Sequence, residues 1–515
     1  MVAVRLIRIS YQRSLRFIGF RNISQSSTRI HVDDVKLLEE VPGPKGFYTL
    51  PYIGMMLLSR SLGVLKNFEF HKFAACIQKE YGDIARIRLK NKWGVFIFHP
   101  DMAKDILEVK TKYPLSAGVE MYQVYKEHRN LYPALATLQG EEWAKLRKPT
   151  QELMLRPAAV SVYVGTISKV ADDFVGKYEN GGVVDDFKHE ITKYVTESTG
   201  MLCFNKRLGC IDGAPVLDNK YLDDIFDAID RDLKKLGPAL YRYISTPLYT
   251  KFEKAADHLF GVAYAEIQEA MSKLEKAKTE GRLEEYLHQS PNLLYALLTH
   301  PKMTPDMVNS VLVDLFIAGV ESTSNVLSFL WYELAKNPDK QQKLHDEINS
   351  VCGSNDVTKE SLTKMSYLKA CVKEIMRLYP PAVPGTIRYL DDDITIAGYR
   401  IPAGVQMFIF QQHMCEDSRF FKKPDQFLPE RFSRDGDLMN EIRNAHPFAT
   451  LPFGIGTRSC IGQRFAETEM HIITAKFFQR LEVSLLSKSD KKLEMKYRIF
   501  STPTQKIPLM IKQRL

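Results

Sequence analysis

The pattern of apolar and polar positions predicts a mainly helical chain. From about residue 64 onward, most segments carry apolar residues at helical spacing. The best-marked helix begins after Thr304, a suitable N-cap, with Pro305 at its first position, and it runs to the stop at Asn337-Pro338. At 1.5 Å per residue such a helix is about 48 Å long, enough to cross a whole domain.

Strand signals are confined to a few short regions. Residues 95–98, 394–410 and 481–512 are rich in β-formers or alternate in polarity, with turn residues between them. The chain has no internal repeat and no low-complexity tract. The predicted fold class is therefore mainly α with small β-sheets, in one folded domain over residues 47–515.

The middle of the long helix contains residues that weaken helices. Gly319 costs about 1 kcal/mol relative to Ala in a helix interior, and Ser322 and Thr323 compete for backbone partners. Glu321 places a carboxylate in an apolar segment, where it is costly unless paired. This combination indicates a functional role for the middle of this helix.

The net charge of +9 does not indicate a nucleic-acid-binding protein, because it is concentrated at one end. Residues 1–32 contain six Arg and no acidic residue, and the remainder has 65 basic and 62 acidic side chains, or +3. An Arg-rich, Ser-bearing, amphipathic segment without acids is typical of an organelle transit peptide. We therefore predict a mitochondrial transit peptide over residues 1–32 and a Pro-rich linker over 33–46. A basic tail on a soluble protein is the alternative.

Other targeting and redox classes are disfavoured. Arg13, Arg16 and Arg21 interrupt the apolar stretch that a secretory signal would need. The sequence contains no run of 18 or more uncharged apolar residues, so a membrane-spanning helix is not expected. The seven Cys are scattered and include no CxxC, which argues against a disulfide framework and a zinc site.

One cysteine stands in a context that suggests chemistry. Cys460 follows a Gly-rich loop and precedes a helical pattern, and Arg458 adds a nearby cation. A cysteine at a helix N-terminus beside a cation is expected to have a depressed pKa and to be a ready metal ligand. The alternative is a structural cysteine in a turn.

The spacing around this cysteine resembles the haem-binding signature of the cytochrome P450 family. Three other motifs of that family precede this cysteine in the expected order: "AGVESTS" on the long helix, then "KEIMR", then "PERF". The resemblance extends from about residue 41 to the C-terminus. The signature positions are Phe453, Gly456, Arg458, Cys460 and Gly462.

The resemblance implies a single triangular domain with haem b buried between the long central helix and the helix after the cysteine loop. It implies that Cys460 is the axial thiolate, a ligand that favours O–O cleavage, and that Phe453 shields the sulfur. It also implies a buried network of Glu374, Arg377 and Arg431 that fixes the segment leading into the cysteine loop.

The resemblance also implies how the haem propionates are held. Arg458 is the first cation expected to contact them. Trp143 and Arg147, spaced i, i+4 in "WAKLR", resemble further propionate contacts, as does Arg388 in "GTIRYL". Ordinary packing or surface roles are the alternative for these last three residues.

In the family, the central helix passes over the haem face opposite the thiolate. Ala318 and Gly319 are then expected to leave room for dioxygen, and Glu321 with the following hydroxyls to relay protons. The expected reaction joins substrate RH, O2, two electrons and two protons to give ROH and water. The usual Thr after the acid is Ser322 here, so either Ser322 or Thr323 delivers the protons.

Two lysines resemble the mitochondrial branch of the family. Lys369 and Lys373, spaced i, i+4, resemble the site at which this branch docks an adrenodoxin-type ferredoxin, supplied with electrons from NADPH by ferredoxin reductase. A solvated helix face is the alternative. Gln463 departs from the basic residue that often follows the last loop Gly in this branch.

The predicted function is thus that of a mitochondrial haem-thiolate monooxygenase acting on a small apolar substrate such as a steroid, sterol, secosteroid or xenobiotic. Residues 233–252, which alternate basic and aromatic residues around Pro, resemble the membrane-facing substrate entrance of this branch, which implies peripheral contact with the inner membrane on its matrix side. An ordinary loop between helices is the alternative. A haem-thiolate isomerase or dehydratase, or a non-catalytic haem or lipid carrier, are the alternatives. The predicted lining of the substrate pocket lies near 115–130, 230–250, 311–323 and 382–388.

Overall fold

A computed structural model describes residues 35–514 except 67, 117, 214, 236–237, 383–384, 434–444 and 488–491. The predicted transit peptide therefore lies outside the described residues, as does the first part of the predicted linker.

The described residues form α-helices along most of their length. In chain order these are α1 (Ile53–Ser61), α2 (Phe70–Tyr81), α3 (Pro100–Leu107), α4 (Glu120–His128), α5 (Gly140–Met154), α6 (Pro157–Ser161), α7 (Val164–Gly176), α8 (Phe187–Phe204), α9 (Lys220–Leu233), α10 (Pro247–Thr279), α11 (Leu283–Gln289), α12 (Leu293–Leu298), α13 (Pro305–Lys336), α14 (Pro338–Cys352), α15 (Lys359–Lys364), α16 (Ser366–Leu378), α17 (Gln411–Cys415) and α18 (Gln463–Arg480).

The strands form small sheets. They are β1 (Ile84–Leu89), β2 (Lys92–Ile97), β3 (Gly182–Val184), β4 (Gly385–Arg388), β5 (Ile394–Ile396), β6 (Tyr399–Ile401), β7 (Gln406–Phe410), β8 (Leu481–Leu485), β9 (Met495–Arg498), β10 (Phe500–Pro503) and β11 (Leu509–Gln513). The largest sheet has the order β1-β2-β7-β4, in which β2 and β7 are parallel and the other neighbours antiparallel. The prediction of a mainly α fold with small sheets is confirmed.

The central helix begins and ends where the sequence predicts. The Thr304 side chain caps α13 by accepting a hydrogen bond from the Met307 N–H, and Asn337 ends the helix. Most of α13 is buried against α8, α10 and β8. Although α13 is long and apolar enough to cross a membrane, 72% of its most apolar window is buried inside the protein. Its hydrophobicity therefore serves the core.

The predicted strand regions contain β2, β5–β7 and β8–β11, but the prediction missed β1, β3 and β4. β2 begins at Lys92, before the predicted start at 95, because a tight turn pairs it with β1. Lys90 adopts a φ of 54° in that turn. Phe96 and Phe98 of this hairpin region pack with Phe408 and Phe410 of β7 in an aromatic cluster. This cluster joins the largest sheet to α2.

Candidate active site

A cavity lies between the middle of α13, the start of α18 and strand β4. Its volume is about 430 Å³. Its wall contains Cys460, Phe453 and Arg458 from the cysteine loop, together with Ser322 and Thr323 from α13. Among the predicted pocket regions, 115–130, 311–323 and 382–388 contribute to this wall, while none of its described residues comes from 230–250.

The cysteine loop presents the Cys460 thiol to this cavity. Gly454 and Gly456 adopt φ values of 67° and 79°, in the left-handed region that favours glycine. The Cys460 N–H donates to the Phe453 carbonyl oxygen at 2.8 Å, which closes the turn. The backbone N–H groups of Gly462 and Gln463, at the N-terminus of α18, donate to the sulfur. The loop thus directs a sulfur and its hydrogen-bond donors toward one open space.

Burial dominates the titration of this cysteine. It raises the pKa of Cys460, and the backbone N–H groups and Arg147 lower it only in part. The depressed pKa expected from sequence is therefore not found: the thiol is open to the cavity, but its depth within the protein outweighs the helix N-terminus and the cation. A bound metal cation would supply the missing stabilisation of the thiolate.

Arg458 joins the cysteine loop to the segment before α5. Its guanidinium stacks on the Trp143 ring, with 4.1 Å between Cζ and the ring centroid. Nε donates to the Pro114 carbonyl at 2.8 Å, and Nη2 donates to the Leu138 carbonyl at 2.8 Å and to Gln139 at 3.1 Å. The Trp143 ring thus supports the guanidinium of Arg458 by stacking.

Arg147 and Arg388 lie beside Arg458. Arg147 donates from Nη2 to the Ser459 carbonyl at 2.7 Å, and Arg388 donates to the Ile387 carbonyl at 3.0 Å. Burial lowers the pKa of Arg388 to about 10, and burial together with the other two cations lowers that of Arg458 to about 10. Within the described part of the chain, none of the three pairs with a carboxylate.

These residues fit a flat group with two negative charges and an iron atom. Three crowded guanidiniums need anionic partners, because unpaired buried charge is strongly destabilising. The thiol faces the same cavity as two of them. A haem, with two propionates and an iron that accepts a thiolate ligand, would match this donor set.

Glu374, Arg377 and Arg431 form a buried network, as the motifs predict. Arg377 makes a bidentate pair with Glu374 at 2.7 and 2.8 Å, and Arg431 Nε lies 3.3 Å from Glu374 Oε1. The Leu428 N–H also donates to Glu374 at 3.0 Å. Burial opposes the Arg377 charge, but Glu374 raises the pKa of Arg377 overall. The network fixes residues 415–431, upstream of the cysteine loop, by hydrogen bonds from Arg377 and Arg431 to their carbonyl groups.

On α13, the residues that face the cavity differ from those that pack the helix. Ala318 is exposed, whereas its neighbours Ile317 and Gly319 are half-buried. The Ser322 hydroxyl donates to the Ala318 carbonyl at 2.7 Å, while no partner for the Thr323 hydroxyl occurs in the described residues. A Cβ at Gly319 would lie 3.3 Å from Cγ2 of Thr199 on α8. Gly319 therefore permits close packing of α13 against α8, and neither Ala318 nor Gly319 is among the described residues that line the cavity.

Glu321 is not in the cavity wall. Its Oε1 atom accepts from Arg498 Nη2 at 3.0 Å and from Asn325 at 3.0 Å, with Lys188 Nζ at 3.7 Å. Burial alone would raise the pKa of Glu321, but Lys188, Arg498 and Asn325 hold it below its usual value. The sequence analysis missed Arg498, which lies 177 residues away on β9 and has no motif to mark it.

The two predicted docking lysines lie on one face of α16. Lys373 is exposed, and Lys369 is half-buried and donates to the Thr363 carbonyl at 2.9 Å. Beside them His471 of α18 has its pKa lowered to about 3 by burial and by both lysines. Arg464, the residue after Gln463, is exposed on the same groove as Lys369. The face behind the cysteine loop is therefore basic even though Gln463 is neutral.

A patch of exposed apolar side chains occurs in the predicted membrane-contact segment. Its members Leu233, Leu240, Tyr243 and Ile244 are all more than half exposed, with Tyr243 at 87%. Arg242 in the same segment pairs with Glu120 at 3.1 Å, which ties the segment to α4.

The cytochrome P450 family model matches residues 44–511. A probable mitochondrial cytochrome P450 of Drosophila melanogaster, 12d1 proximal, is 28% identical, covering 94% of this chain and 92% of that protein. The mitochondrial sterol 26-hydroxylase of Rattus norvegicus is 26% identical (93% and 90% covered). The mitochondrial 1,25-dihydroxyvitamin D(3) 24-hydroxylase of Mus musculus is 27% identical (92% and 89%).

The chain belongs to the cytochrome P450 family. Its relatives identify it with the mitochondrial members, so it is a mitochondrial haem monooxygenase whose cofactor is haem b with a cysteine thiolate ligand. The predictions of family, enzyme class, cofactor and mitochondrial location are confirmed. Membership of this group also implies a ferredoxin-type electron donor and a small hydrophobic substrate.

Proposed function

We propose that the protein uses Cys460 as the haem ligand and hydroxylates a sterol-like or secosteroid-like substrate with electrons from an adrenodoxin-type ferredoxin. The observation that carries this proposal is that Cys460, Arg388 and Arg458 share one cavity wall with Ser322 and Thr323 of the central helix. Sterols and secosteroids are proposed because two relatives are named for those substrates.

The proposed haem contacts are of two kinds: a ligand to the iron, and cations that hold the propionates. Cys460 holds the iron, with the Gly462 and Gln463 N–H groups moderating the sulfur charge, and Phe453 covers it. Arg147, Arg388 and Arg458 hold the propionates, with Trp143 supporting Arg458. When bound, haem with a thiolate ligand supplies cleavage of dioxygen and transfer of one oxygen atom to the substrate.

The hydroxyls of α13 are the proposed proton donors on the cavity side. Ser322 is already oriented by its bond to the Ala318 carbonyl, and Thr323 has a hydroxyl available for a water or ligand. Glu321, whose carboxylate is held on the opposite side by Arg498, is proposed to accept protons from water and pass them on to these hydroxyls. Transfer then needs either a water between Glu321 and the hydroxyls or a rotation of Glu321 away from Arg498.

The proposed ferredoxin site is the basic face that contains Lys369, Lys373 and Arg464. Electrostatic complementarity to an acidic partner would accelerate the encounter and make it sensitive to salt. The proposed membrane contact is the apolar patch at Leu233, Leu240, Tyr243 and Ile244, on the matrix side of the inner membrane. Residues 1–32 are proposed to be a cleaved leader and residues 47–515 the P450 domain.

The ligand assignment is tested by the absorption spectrum of the reduced, carbon-monoxide-bound protein. Wild type is expected to show the Soret band of a thiolate complex, and Cys460→Ser is expected to lose it. Cys415→Ser is the matched control, because Cys415 also lines the cavity but lies outside the loop. A thiolate band that survives in Cys460→Ser would reject the assignment.

The substrate class is tested separately. Spectral titration with sterols, secosteroids, fatty acids and xenobiotics identifies which compounds enter the cavity. Substrate-dependent oxygen uptake with ferredoxin, ferredoxin reductase and NADPH then tests turnover. Binding and turnover of fatty acids or xenobiotics without any response to sterols or secosteroids would contradict the proposed substrate.

A further inference from the structure

The β9–β10 hairpin turns on a single residue, and that residue has an unfavourable backbone conformation. Arg498 ends β9, Phe500 begins β10, and the two are directly paired, so Ile499 alone forms the turn. Ile499 has a φ of 79°, in the left-handed region, where a β-branched residue is a genuine outlier. Such a conformation typically costs about 1–3 kcal/mol and persists only where the surrounding structure imposes it. The strain therefore lies at the tip of the hairpin, between Arg498 and Phe500.

The residue on one side of this turn belongs to the cavity wall. Phe500 lines the cavity, and so do residues 380–382. The hairpin is also bonded to that wall segment, because the Ser501 N–H donates to the Pro381 carbonyl at 2.8 Å and Ala382 forms a β-bridge with Phe500. A ligand that fills the cavity therefore contacts the hairpin tip, either at Phe500 or through residues 380–382.

The residue on the other side of the turn holds the acid of the central helix. Arg498 Nη2 donates to Glu321 Oε1 at 3.0 Å. The Thr502 hydroxyl of β10 donates to Asn325 Oδ1 at 3.1 Å and accepts from Lys188 Nζ at 2.8 Å. Asn325 and Lys188 are the other two partners of Glu321. The hairpin thus supports every side-chain contact that the structure describes for this carboxylate.

Arg498 can release Glu321 without becoming an unpaired buried charge. Its Nη1 donates to Asp227 at 2.6 Å, and its Nη2 lies 3.2 Å from Asp223, both on α9. Its Nε has no hydrogen-bond partner among the described residues, so the guanidinium is not fully satisfied in this position. A released Glu321 would favour its protonated form, because burial disfavours an unpaired carboxylate. That is the form from which a proton can be passed on.

We propose that Arg498 is a positioning residue for proton delivery: it holds Glu321 away from the cavity until a ligand displaces Phe500, and the movement of the hairpin then releases the acid. The proposal rests on the function proposed above, in which Glu321 passes protons to Ser322 and Thr323, and it selects rotation of Glu321 as the route. As a consequence, protons reach dioxygen mainly when the cavity is occupied, which limits the loss of NADPH to peroxide.

The first test measures the rate of peroxide formation by the holoenzyme without substrate, in the presence of ferredoxin, ferredoxin reductase and NADPH. Each NADPH supplies two electrons, and O2 takes up these and two protons to give H2O2. Arg498→Gln removes the contact with Glu321, so we expect the rate to rise about fivefold or more, as is typical of coupling between two sites. Arg498→Gln/Glu321→Gln should show no such rise, because the released acid is absent. A rise caused only by loosened structure would persist in the double variant.

Arg400→Gln is the matched control, because Arg400 also lies on a β-hairpin and pairs with a carboxylate, that of Asp393. Its rate of peroxide formation should equal that of wild type. Thr502→Val serves if Arg498→Gln does not fold, since it removes no charge. It detaches Asn325 and Lys188 from the hairpin and is expected to give a smaller rise in the same direction.

The second test determines whether a ligand in the cavity moves Glu321. Infrared difference spectra compare the holoenzyme bound to imidazole, which ligates haem iron, with the holoenzyme bound to N-dodecylimidazole, whose alkyl chain also extends into the cavity. We expect the long ligand to change the carboxyl stretching bands, and we expect Glu321→Gln to abolish that change. Ile499→Gly adopts the φ of the turn without strain, so it is expected to reduce the change.

Two failures are distinguishable. The role proposed for Arg498 would be overturned by an unchanged rate in both Arg498→Gln and Thr502→Val, by a rise that persists with Glu321→Gln, or by carboxyl bands that do not respond to N-dodecylimidazole. A normal thiolate spectrum in the same preparations would leave the proposed function intact. A wild-type holoenzyme without a thiolate band, or without ferredoxin-dependent uptake of dioxygen, would instead overturn the proposed function.

Discussion

The guanidinium of Arg498 binds the carboxylate of Glu321, with 3.0 Å between Nη2 and Oε1 and both side chains 6% exposed. Arg498 also pairs with Asp227 at 2.6 Å and with Asp223 at 3.2 Å, both on α9. One cation therefore connects the acid of the central helix to α9 and to the C-terminal hairpin of β9 and β10. The charge that the sequence leaves unexplained within an apolar helix is paired by a residue near the end of the chain.

Replacing Arg498 by Gln is expected to destabilise the protein in a pH-dependent way. The pKa of Glu321 is held below 4.5 in the folded protein, so the ion pair stabilises fully above 4.5 and loses its effect as the pH falls through the lower folded-state pKa. Breaking a buried pair typically costs about 3–5 kcal/mol. Urea unfolding should show this loss at neutral pH and a smaller difference from wild type under acid conditions.

Arg400→Gln is the control for this prediction. Arg400 pairs with Asp393 at 2.8 Å but is 60% exposed, so its loss is expected to cost less than about 1 kcal/mol. An Arg498→Gln protein whose stability difference from wild type does not change with pH would show that Glu321 is not the group stabilised.

Glu374→Ala is expected to prevent stable haem incorporation. The substitution leaves Arg377 and Arg431 buried without their carboxylate, which typically costs about 3–5 kcal/mol and releases residues 415–431. The ratio of Soret to protein absorbance measures haem content. Lys343→Ala removes an exposed lysine that pairs with Glu430 and should leave that ratio unchanged. Normal haem content in Glu374→Ala would contradict a supporting role for the network.

Ser322→Ala is expected to divert electrons from product to peroxide. The Ser322 hydroxyl lines the cavity and donates to the Ala318 carbonyl, and the substitution removes this proposed proton donor. Peroxide formed per NADPH consumed, measured with a turnover substrate, should rise several-fold. Thr323→Val tests the neighbour at nearly constant volume. A rise in Thr323→Val with wild-type values in Ser322→Ala would assign the proton delivery to Thr323.

Lys369→Gln/Lys373→Gln is expected to weaken the interaction with ferredoxin. Two surface charges at about 0.5–1 kcal/mol each correspond to an increase of about fivefold to thirtyfold in the KM for ferredoxin. The salt dependence of that KM should also flatten, since fewer charges are screened. Lys145→Gln, at an exposed pair on α5, is the control. Wild-type KM and salt dependence in the double variant would exclude these lysines from the docking site.

Local spacing predicted much of the fold and of the site. The i, i+3 spacing placed Glu374 and Arg377 on one face of α16, and cap chemistry placed the start of α13 at Pro305. The loop glycines predicted the turn at Cys460, because their positive φ values are required there. In each case the information lies within a few residues of the feature.

The contacts that could not be predicted join distant parts of the chain. Glu321 and Arg498 are 177 residues apart, and Lys126 and Asp314, which also form an ion pair, are 188 apart. Local periodicity does not report which buried charges will meet. The pKa of Cys460 was misjudged for the same reason, since its burial depends on the packing of the whole chain around the cavity.

The cluster of Arg147, Arg388 and Arg458 has a consequence for how the protein matures. Before haem arrives, these three guanidiniums repel one another, and burial and mutual repulsion already lower the pKa of Arg458 to about 10. In the proposed binding mode the propionates would remove this penalty, so part of the binding free energy of haem would become folding free energy. Because Arg458 also anchors Pro114 and Leu138, the substrate-facing wall is completed together with the haem pocket. We therefore expect the haem-free protein to be less stable, and more readily cut by proteases, than the haem-loaded protein.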